Sequence, residues 1–394
     1  MKILHVVPTY LPAWRYGGPI MSVHGLCKGL SDLGHDVHVF TTNVDGPGDS
    51  DVPLGVPMDI DGVKVWYFQS KQLRRLYWSP QMAKALEEQT GSFALLHLHS
   101  IYLWPTWAAA RAARRAGIPY LLSPRGMLVK ELVKRKSHWP KLAWLIFIER
   151  CNLEKSAGIH VTSRREAEDA VKFGYRLPVI VTMPNGVDPH EDYGTDMISP
   201  AIQQLLAGID SYILYIGRIN WKKGLDRLIP AMSHVPHARL VMAGNDEENY
   251  QPVLEALADK YGVRERIAFT GLVQGADKAA LLRNAIILVL PSYSENFGNV
   301  VLEAMTAACP VAVTPEVGAA DIVQQYGAGL VIDGDPTTLG NGLREMLEHP
   351  EKLAQMGRRG RRAVEENFTW EAVAKQMEQV YTEILRDTNS ARNA

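Results

Sequence analysis

Short β-branched and aliphatic runs alternate with longer stretches of helical periodicity along the whole chain. This alternation restricts the fold more than any other feature. It marks parallel strands joined by crossover helices, and it excludes a helical bundle or a sandwich of hairpins. In the first half, strands are expected near Ile3–Val7, Val37–Thr41, Val63–Phe68, Leu95–His99, Tyr120–Ser123, Gly158–Thr162 and Pro178–Thr182. In the second half they are expected near Ser211–Gly217, Ala238–Ala243, Arg266–Thr270, Ile286–Leu290, Pro310–Val313 and Gly329–Ile332. Helices fall between most of them, for example at Ser22–Leu33 and Asp226–Met232. The reading is α/β, with two successive doubly wound sheets.

A chain of 394 residues exceeds the usual size of a single core, so two domains are expected. The polar stretch Asn185–Pro200 interrupts the pattern and supplies the boundary. A first Rossmann-like domain over 1–188 and a second over 189–369 follow. The segment 370–387 reads as an amphipathic helix, periodic from Trp370 to Arg386. The polar tail DTNSARNA beyond it is expected to be disordered.

Composition narrows the function classes. A formal net charge of −1 gives the molecule no general attraction to nucleic acid. Cys27, Cys151 and Cys309 are odd in number and form no CxxC pair, which suits a reduced cytoplasm better than a disulfide framework or a zinc site. The opening MKILHVVPTY reads as a strand rather than a signal peptide. No uncharged apolar stretch approaches the roughly 20 residues of a bilayer span; Leu142–Ile148 comes nearest. A cytoplasmic protein is expected, soluble or peripheral on the inner face of the membrane.

Ligands of doubly wound sheets lie beyond the carboxyl ends of the strands, so chemistry is sought in the loops that follow them. After the first strand comes Pro12-Ala-Trp-Arg-Tyr-Gly17-Gly18-Pro19, opening into a helix. Glycines there admit an anion close to the backbone, and a helix N-terminus offers free N–H groups. After the first strand of the second half comes Gly217-Arg218-Ile-Asn-Trp-Lys222-Lys223-Gly224. The planar fork of Arg218 and the compact charge of Lys223 suit a diphosphate and the charge that develops on it as it leaves. After the strand Ile286–Leu290 comes Ser292-Tyr-Ser-Glu295-Asn-Phe-Gly298-Asn-Val-Val-Leu-Glu303. Gly298 permits a tight turn before a helix, which presents the amides of Phe297 to Val300, and two acids eight residues apart can bind hydroxyl groups. Taken singly, each has a plain alternative: a flexible turn, solvated cations, or a glutamate favoured by the helix dipole.

Together these motifs, with PNGVD at Pro184–Asp188, resemble the retaining glycosyltransferases of family 4, which have the two-domain GT-B fold. The resemblance covers nearly the whole chain in the family order. It implies two Rossmann-like domains facing across a cleft, with the helix 370–387 packing back on the first domain and a nucleotide-diphosphate sugar as co-substrate. It further implies that Glu303 binds the ribose and that Glu295 binds the transferred sugar. Arg218 and Lys223 would grip the diphosphate, helped by Gly17 and the Gly18 amide, while Asn296, Phe297, Gly298, Asn299 and Val300 would offer backbone amides. His99 matches the family's active-site histidine at the end of a strand, with a satisfied core histidine as the plain alternative; His97 lies on the same strand face.

Two loops depart from the family pattern. Pro315-Glu316-Val-Gly318-Ala-Ala has one glycine where two are frequent, and Ser123-Pro-Arg125-Gly126 has Arg where His is common. Arg125 is therefore assigned to the acceptor or a phosphate. No acid is plainly placed as a nucleophile for a retaining reaction. The resemblance implies front-face attack instead, with the leaving phosphate taking the acceptor's proton. Asp49-Ser-Asp51, Asp59-Ile-Asp61 and Asp333-Gly-Asp335 resemble metal-binding DxD runs, but their recurrence at turns points to chance, and Asp61-Gly62 reads as a hairpin turn. No metal and no other cofactor is expected.

The stretch 127–150 joins Lys130, Lys134 and Lys141 to Trp139 and Trp144, with Pro140 starting a second helix. An anionic membrane surface or a lipid-diphosphate acceptor would suit it, and so would an ordinary two-helix insert. Expected partners are a nucleotide sugar, UDP- or GDP-linked, and a glycan or lipid-linked acceptor in polysaccharide or cell-envelope synthesis. A nucleotide-sugar epimerase or hydrolase on the same fold is the alternative, although no acid–base pair for it is plain. A non-catalytic nucleotide-binding module and a pyridoxal-phosphate phosphorylase fit less well.

Overall fold

A computed structural model describes residues 1–129, 144, 148–188, 197–209 and 211–393. The chain divides into two compact units. One is Met1–Gly186 together with Trp370–Ala394, and the other is Val187–Thr369.

The strands of the first unit are β1 (Lys2–Val6), β2 (Asp36–Thr42), β3 (Val44–Asp45), β4 (Gly48–Asp49), β5 (Pro57–Ile60), β6 (Val63–Phe68), β7 (Leu95–His99), β8 (Tyr120–Ser123), β9 (Gly158–Val161) and β10 (Ile180–Thr182). Eight of them form one sheet in the order β10-β9-β8-β7-β1-β2-β6-β5. Within it only β5 runs antiparallel, joined to β6 by a turn in which Asp61 and Gly62 have φ of 53° and 80°. These are the left-handed values a two-residue hairpin demands. Two short elements escape the sequence pattern: the β5 edge, which is too polar to read as a core strand, and the two-residue β3–β4 ribbon. The order turns back on itself between β1 and β7, so the loops after these two strands lie side by side.

The first helix begins at Gly18, four residues before the expected Ser22, because Pro19 is already preset for a first turn. Its buried face, with Val23, Leu26, Cys27 and Leu30, joins one core with Val373, Ala374, Met377, Tyr381 and Ile384 of the last helix, Trp370–Asn393. This helix runs on to Asn393, so the tail beyond Arg386 is helical instead of disordered. The physical reason is that the tail extends a helix already nucleated by its packed face, and the Thr388 hydroxyl is satisfied by the Ile384 carbonyl at 2.8 Å.

The second unit has β11 (Tyr212–Ile216), β12 (Arg239–Ala243), β13 (Ile267–Gly271), β14 (Ile287–Leu290), β15 (Val311–Val313) and β16 (Gly329–Val331). All are parallel, in the order β13-β12-β11-β14-β15-β16. Continuous apolar runs such as Tyr212–Leu214 and Ile287–Leu290 are buried, as parallel strands covered on both faces require. The order reverses between β11 and β14, which places the loop 217–224 beside the loop 291–298. The Tyr293 amide donates to the Lys222 carbonyl at 2.8 Å and ties the two together. The helix expected at Asp226–Met232 spans Leu225–Ala231 and passes into a tight turn at Met232–His234. Of the boundary stretch Asn185–Pro200, residues 189–196 lie outside the described residues.

Candidate active site

In the second unit, the loop after β11 is shaped by Asn220, whose carboxamide oxygen accepts from the Lys222 amide at 3.1 Å. Arg218 is exposed and forms no ion pair among the described residues; its carbonyl accepts from the Tyr215 hydroxyl at 2.8 Å. Lys223 turns inward and forms an ion pair with Glu295. Two residues expected to grip different parts of one ligand thus meet each other directly. Glu303 is likewise paired, its Oε2 lying 2.7 Å from the Lys278 Nζ, with both side chains half-buried.

The Glu295 loop is fixed by the loop after β15. The Glu295 amide donates to the Glu316 carbonyl at 3.1 Å, Gly318 donates back to Glu295 at 3.0 Å, and Ala319 donates to Phe297 at 2.8 Å. A Cβ at Gly318 would sit 1.9 Å from the Asn296 carbonyl oxygen, so this position excludes every side chain. The single glycine of the Pro315–Ala320 loop is therefore the one that the close approach requires. Phe297 is buried in the core, and Gly298, with φ of 89°, turns the chain into the helix Asn299–Thr306. No side chain caps that helix, so the amides near Asn299 and Val300 head a dipole end beside Glu295.

In the first unit Gly17, with φ of 64°, caps the first helix and Gly18 opens it, both exposed. His99 is fully buried. Its Nδ1 lies 3.1 Å from Arg125 Nη2, and its Nε2 lies 3.0 Å from His5 Nδ1. Arginine can only donate, so Nδ1 of His99 accepts and Nε2 carries the proton toward His5. Both imidazole nitrogens are thus engaged, and a catalytic contact through the ring requires one of these bonds to be exchanged.

His97 pairs with His5 in register and stacks on His99 with ring centroids 4.3 Å apart. Its Nδ1 meets the Tyr381 hydroxyl at 2.7 Å and its Nε2 meets Ser123 Oγ at 2.9 Å. Ser123 continues to His160 Nδ1 at 2.7 Å, and His160 Nε2 donates to the Met183 carbonyl at 3.1 Å. Burial, reinforced by the Arg125 charge, depresses all four imidazoles; His5 and His160 fall to about 3. They are neutral. Nitrogens of His5, His97 and His99 lie within 4.8 Å of one another, the arrangement of a metal site. The Arg125 guanidinium on His99 Nδ1 sets a positive charge beside these nitrogens.

Among the described residues, five of the six aspartates in the three DxD runs have partners: Asp333 accepts from the Asp335 amide at 2.8 Å. Asp49 pairs with Arg74, Asp59 accepts from the Gly62 amide, Asp61 meets His24, and Asp335 caps the helix Pro336–Leu347. Of the stretch 127–150, residues 130–143 and 145–147, with Lys130, Lys134, Trp139, Pro140 and Lys141, lie outside the described residues. At its described edges Leu128 is core, and the Trp144 indole donates to the buried Glu149 at 3.1 Å. Burial raises the Glu149 carboxyl to about 7.

Sequence reasoning missed Lys278, which reaches Glu303 only through tertiary packing, and the His5, His160 and Tyr381 network. The latter had a signal: His5, His97 and His160 each stand inside an apolar strand, in KILHV, LLHLH and GIHV.

Comparison with known proteins completes the picture. Residues 17–186 match the glycosyl transferase 4-like domain, and residues 202–363 match glycosyl transferases group 1. An uncharacterized glycosyltransferase of Methanocaldococcus jannaschii is 28% identical over 97% of this chain and 98% of its own length. A D-inositol 3-phosphate glycosyltransferase of Xylanimonas cellulosilytica is 28% identical over 98% of this chain and 96% of its own. The structure of Anabaena HepE in complex with UDP-glucose superposes with a TM-score of 0.74 at 19% identity, covering 97% of this chain and all of that one. The two family matches meet the two units in turn, and with that agreement the chain belongs to the group 1, family 4-like glycosyltransferases of GT-B fold.

Proposed function

We propose that the protein is a retaining, metal-independent hexosyltransferase. It moves a hexosyl unit from a UDP- or GDP-sugar to a glycan or lipid-linked acceptor in polysaccharide or cell-envelope synthesis. The observation that carries this reading is the pair of carboxylates in the second unit, Glu295 and Glu303, each held by its own ammonium beside an uncapped helix N-terminus. Glu303 binds the ribose hydroxyls, and Glu295 binds the hydroxyls of the transferred sugar. Arg218 and Lys223 take the diphosphate. Asn296 to Val300 supply amides. UDP-glucose in the Anabaena structure supports a nucleotide-sugar donor.

In the reaction the anomeric C–O bond breaks with its electron pair passing to the diphosphate. The acceptor hydroxyl attacks from the same face, and its proton passes to the departing phosphate oxygen. The protein's share is charge and position. Arg218 and Lys223 neutralise the leaving group, the role a metal would otherwise fill, and Glu295 is released to the sugar when Lys223 turns to phosphate. His99, held by Arg125, orients the acceptor side. We take the enzyme to act in the cytoplasm, soluble or peripheral on the inner face of the membrane. Among the described residues, no helix is long and apolar enough to cross one.

The test is the anomeric configuration of the transferred sugar, followed by proton NMR with EDTA present. Retention at an undiminished rate is expected. Inversion, or loss of turnover in EDTA, contradicts the proposal.

A further inference from the structure

Among the described residues, no carboxylate pairs directly with the charge of Arg125; Glu166 acts on it only at a distance. Arg125 lies in the loop after β8 with φ of 55°, a left-handed value that costs a non-glycine residue and collects at binding sites. Nη2 donates to His99 Nδ1 at 3.1 Å, and Nη1 reaches Asn185 Oδ1 at 3.2 Å and Ser22 Oγ at 3.4 Å. All three acceptors are neutral. Nε is buried with no partner, and no carboxylate forms an ion pair with this guanidinium among the described residues.

The carboxylate nearest in influence is Glu166, but its oxygens are committed. Oε1 accepts from the Gly126 amide at 2.6 Å, and Oε2 accepts from the amide and hydroxyl of Thr162 at 2.8 and 2.9 Å. The imidazoles packed around Arg125 are neutral donors and acceptors and lend it no negative charge. Desolvated charges are normally paired, and a lone guanidinium with spare N–H groups is shaped for a bidentate oxyanion. Ser22, in the second turn of the Gly18–Asp32 helix, donates its hydroxyl to the Pro19 carbonyl at 3.0 Å and so meets Arg125 only as a neutral acceptor.

We infer that the first unit holds an oxyanion site at Arg125, separate from the diphosphate grip of Arg218 and Lys223, and that the acceptor presents a phosphate or carboxylate group to it. The acceptor assignment rests on the glycosyltransferase reading; the oxyanion site does not. The site selects acceptors by charge: a neutral analogue leaves Arg125 unanswered, whereas an anionic one gains two charge-assisted hydrogen bonds. His99 is the neighbour that reports occupancy, because its Nδ1 shares the same fork.

The experiment uses the full chain labelled with ¹⁵N-histidine, the His99 signals being assigned through His99→Gln. Inorganic phosphate is titrated at constant ionic strength against chloride, with and without saturating UDP. The His99 signals are expected to move at millimolar phosphate in both series. Binding should weaken at least tenfold in Arg125→Gln and recover in part in Arg125→Lys, whose retained charge also guards against a folding defect. Unmoved His99 signals in the wild type overturn the site. If UDP alone reproduces the shift and phosphate then adds nothing, the oxyanion belongs to the donor, and the acceptor assignment is overturned. If UDP fails to bind while phosphate still moves His99, the donor reading fails and the oxyanion site stands.

Discussion

Lys278 Nζ lies 2.7 Å from Glu303 Oε2, joining the helix Gly275–Asn284 to the helix that carries the second of the two paired acids. In the donor site proposed above, the ammonium holds one oxygen of this carboxylate and so orients it for the ribose. A half-buried pair of this kind contributes about 1 kcal/mol. Lys278→Met should therefore raise the donor KM about fivefold at unchanged kcat, and Lys278→Arg should restore it. Steady-state kinetics with a fixed acceptor decides this, and a fall in kcat at constant KM would remove Lys278 from donor binding.

Gly318 bears on the same site from below. Any Cβ there collides with the Asn296 carbonyl, so Gly318→Ala must displace the loop that positions Glu295. Overpacking of this order costs about 2 kcal/mol, or a melting midpoint lower by about 4–8 °C for a unit of this size. Calorimetry that leaves the midpoint unchanged would show that the two loops do not pack as described.

The buried imidazoles make the first unit acid-sensitive. The unfolded chain binds protons at His5, His97, His99 and His160 below about pH 6.5, whereas the native state excludes them to far lower pH. Their contribution is complete above pH 6.5 and is lost as pH falls toward the depressed native values. The slope is up to about 1.4 kcal/mol per pH unit for each imidazole. Urea unfolding at pH 7.5 and 5.5 should show a steep loss at the lower pH; equal stabilities would mean that the cluster is charged or exposed.

Tyr381 links the last helix to that cluster through His97. Tyr381→Phe removes the donor and strands a buried acceptor, at a cost of about 1–3 kcal/mol. Unfolding monitored in the first unit should show this loss, and an unchanged midpoint would mean that His97 finds another donor.

The parallel sheets were legible because buried strands are runs of Ile, Val and Leu that no helix of this length imitates. The loops at 217–224 and 291–303 were legible because glycine and charge stand together where the runs stop. What the sequence hid is what only register and packing create. His5 meets His97 because β1 and β7 are neighbours, although 92 residues separate them. Lys278 looks like any surface cation until two helices bring it to Glu303. Arg125 stands out only once no described carboxylate is found to pair with it. The helical end of the chain was misread because a polar composition says little about a helix already nucleated by a packed face.

In the proposed function, Glu303 and its neighbours hold a nucleotide sugar without a metal. The most direct measurement is a thermal-shift screen of UDP-, GDP-, ADP- and dTDP-sugars in EDTA on the wild type and Glu303→Ala. One donor should raise the wild-type midpoint, and that shift should vanish in the variant. If no nucleotide sugar moves the wild type, or if Glu303→Ala responds equally, the donor site described here is contradicted.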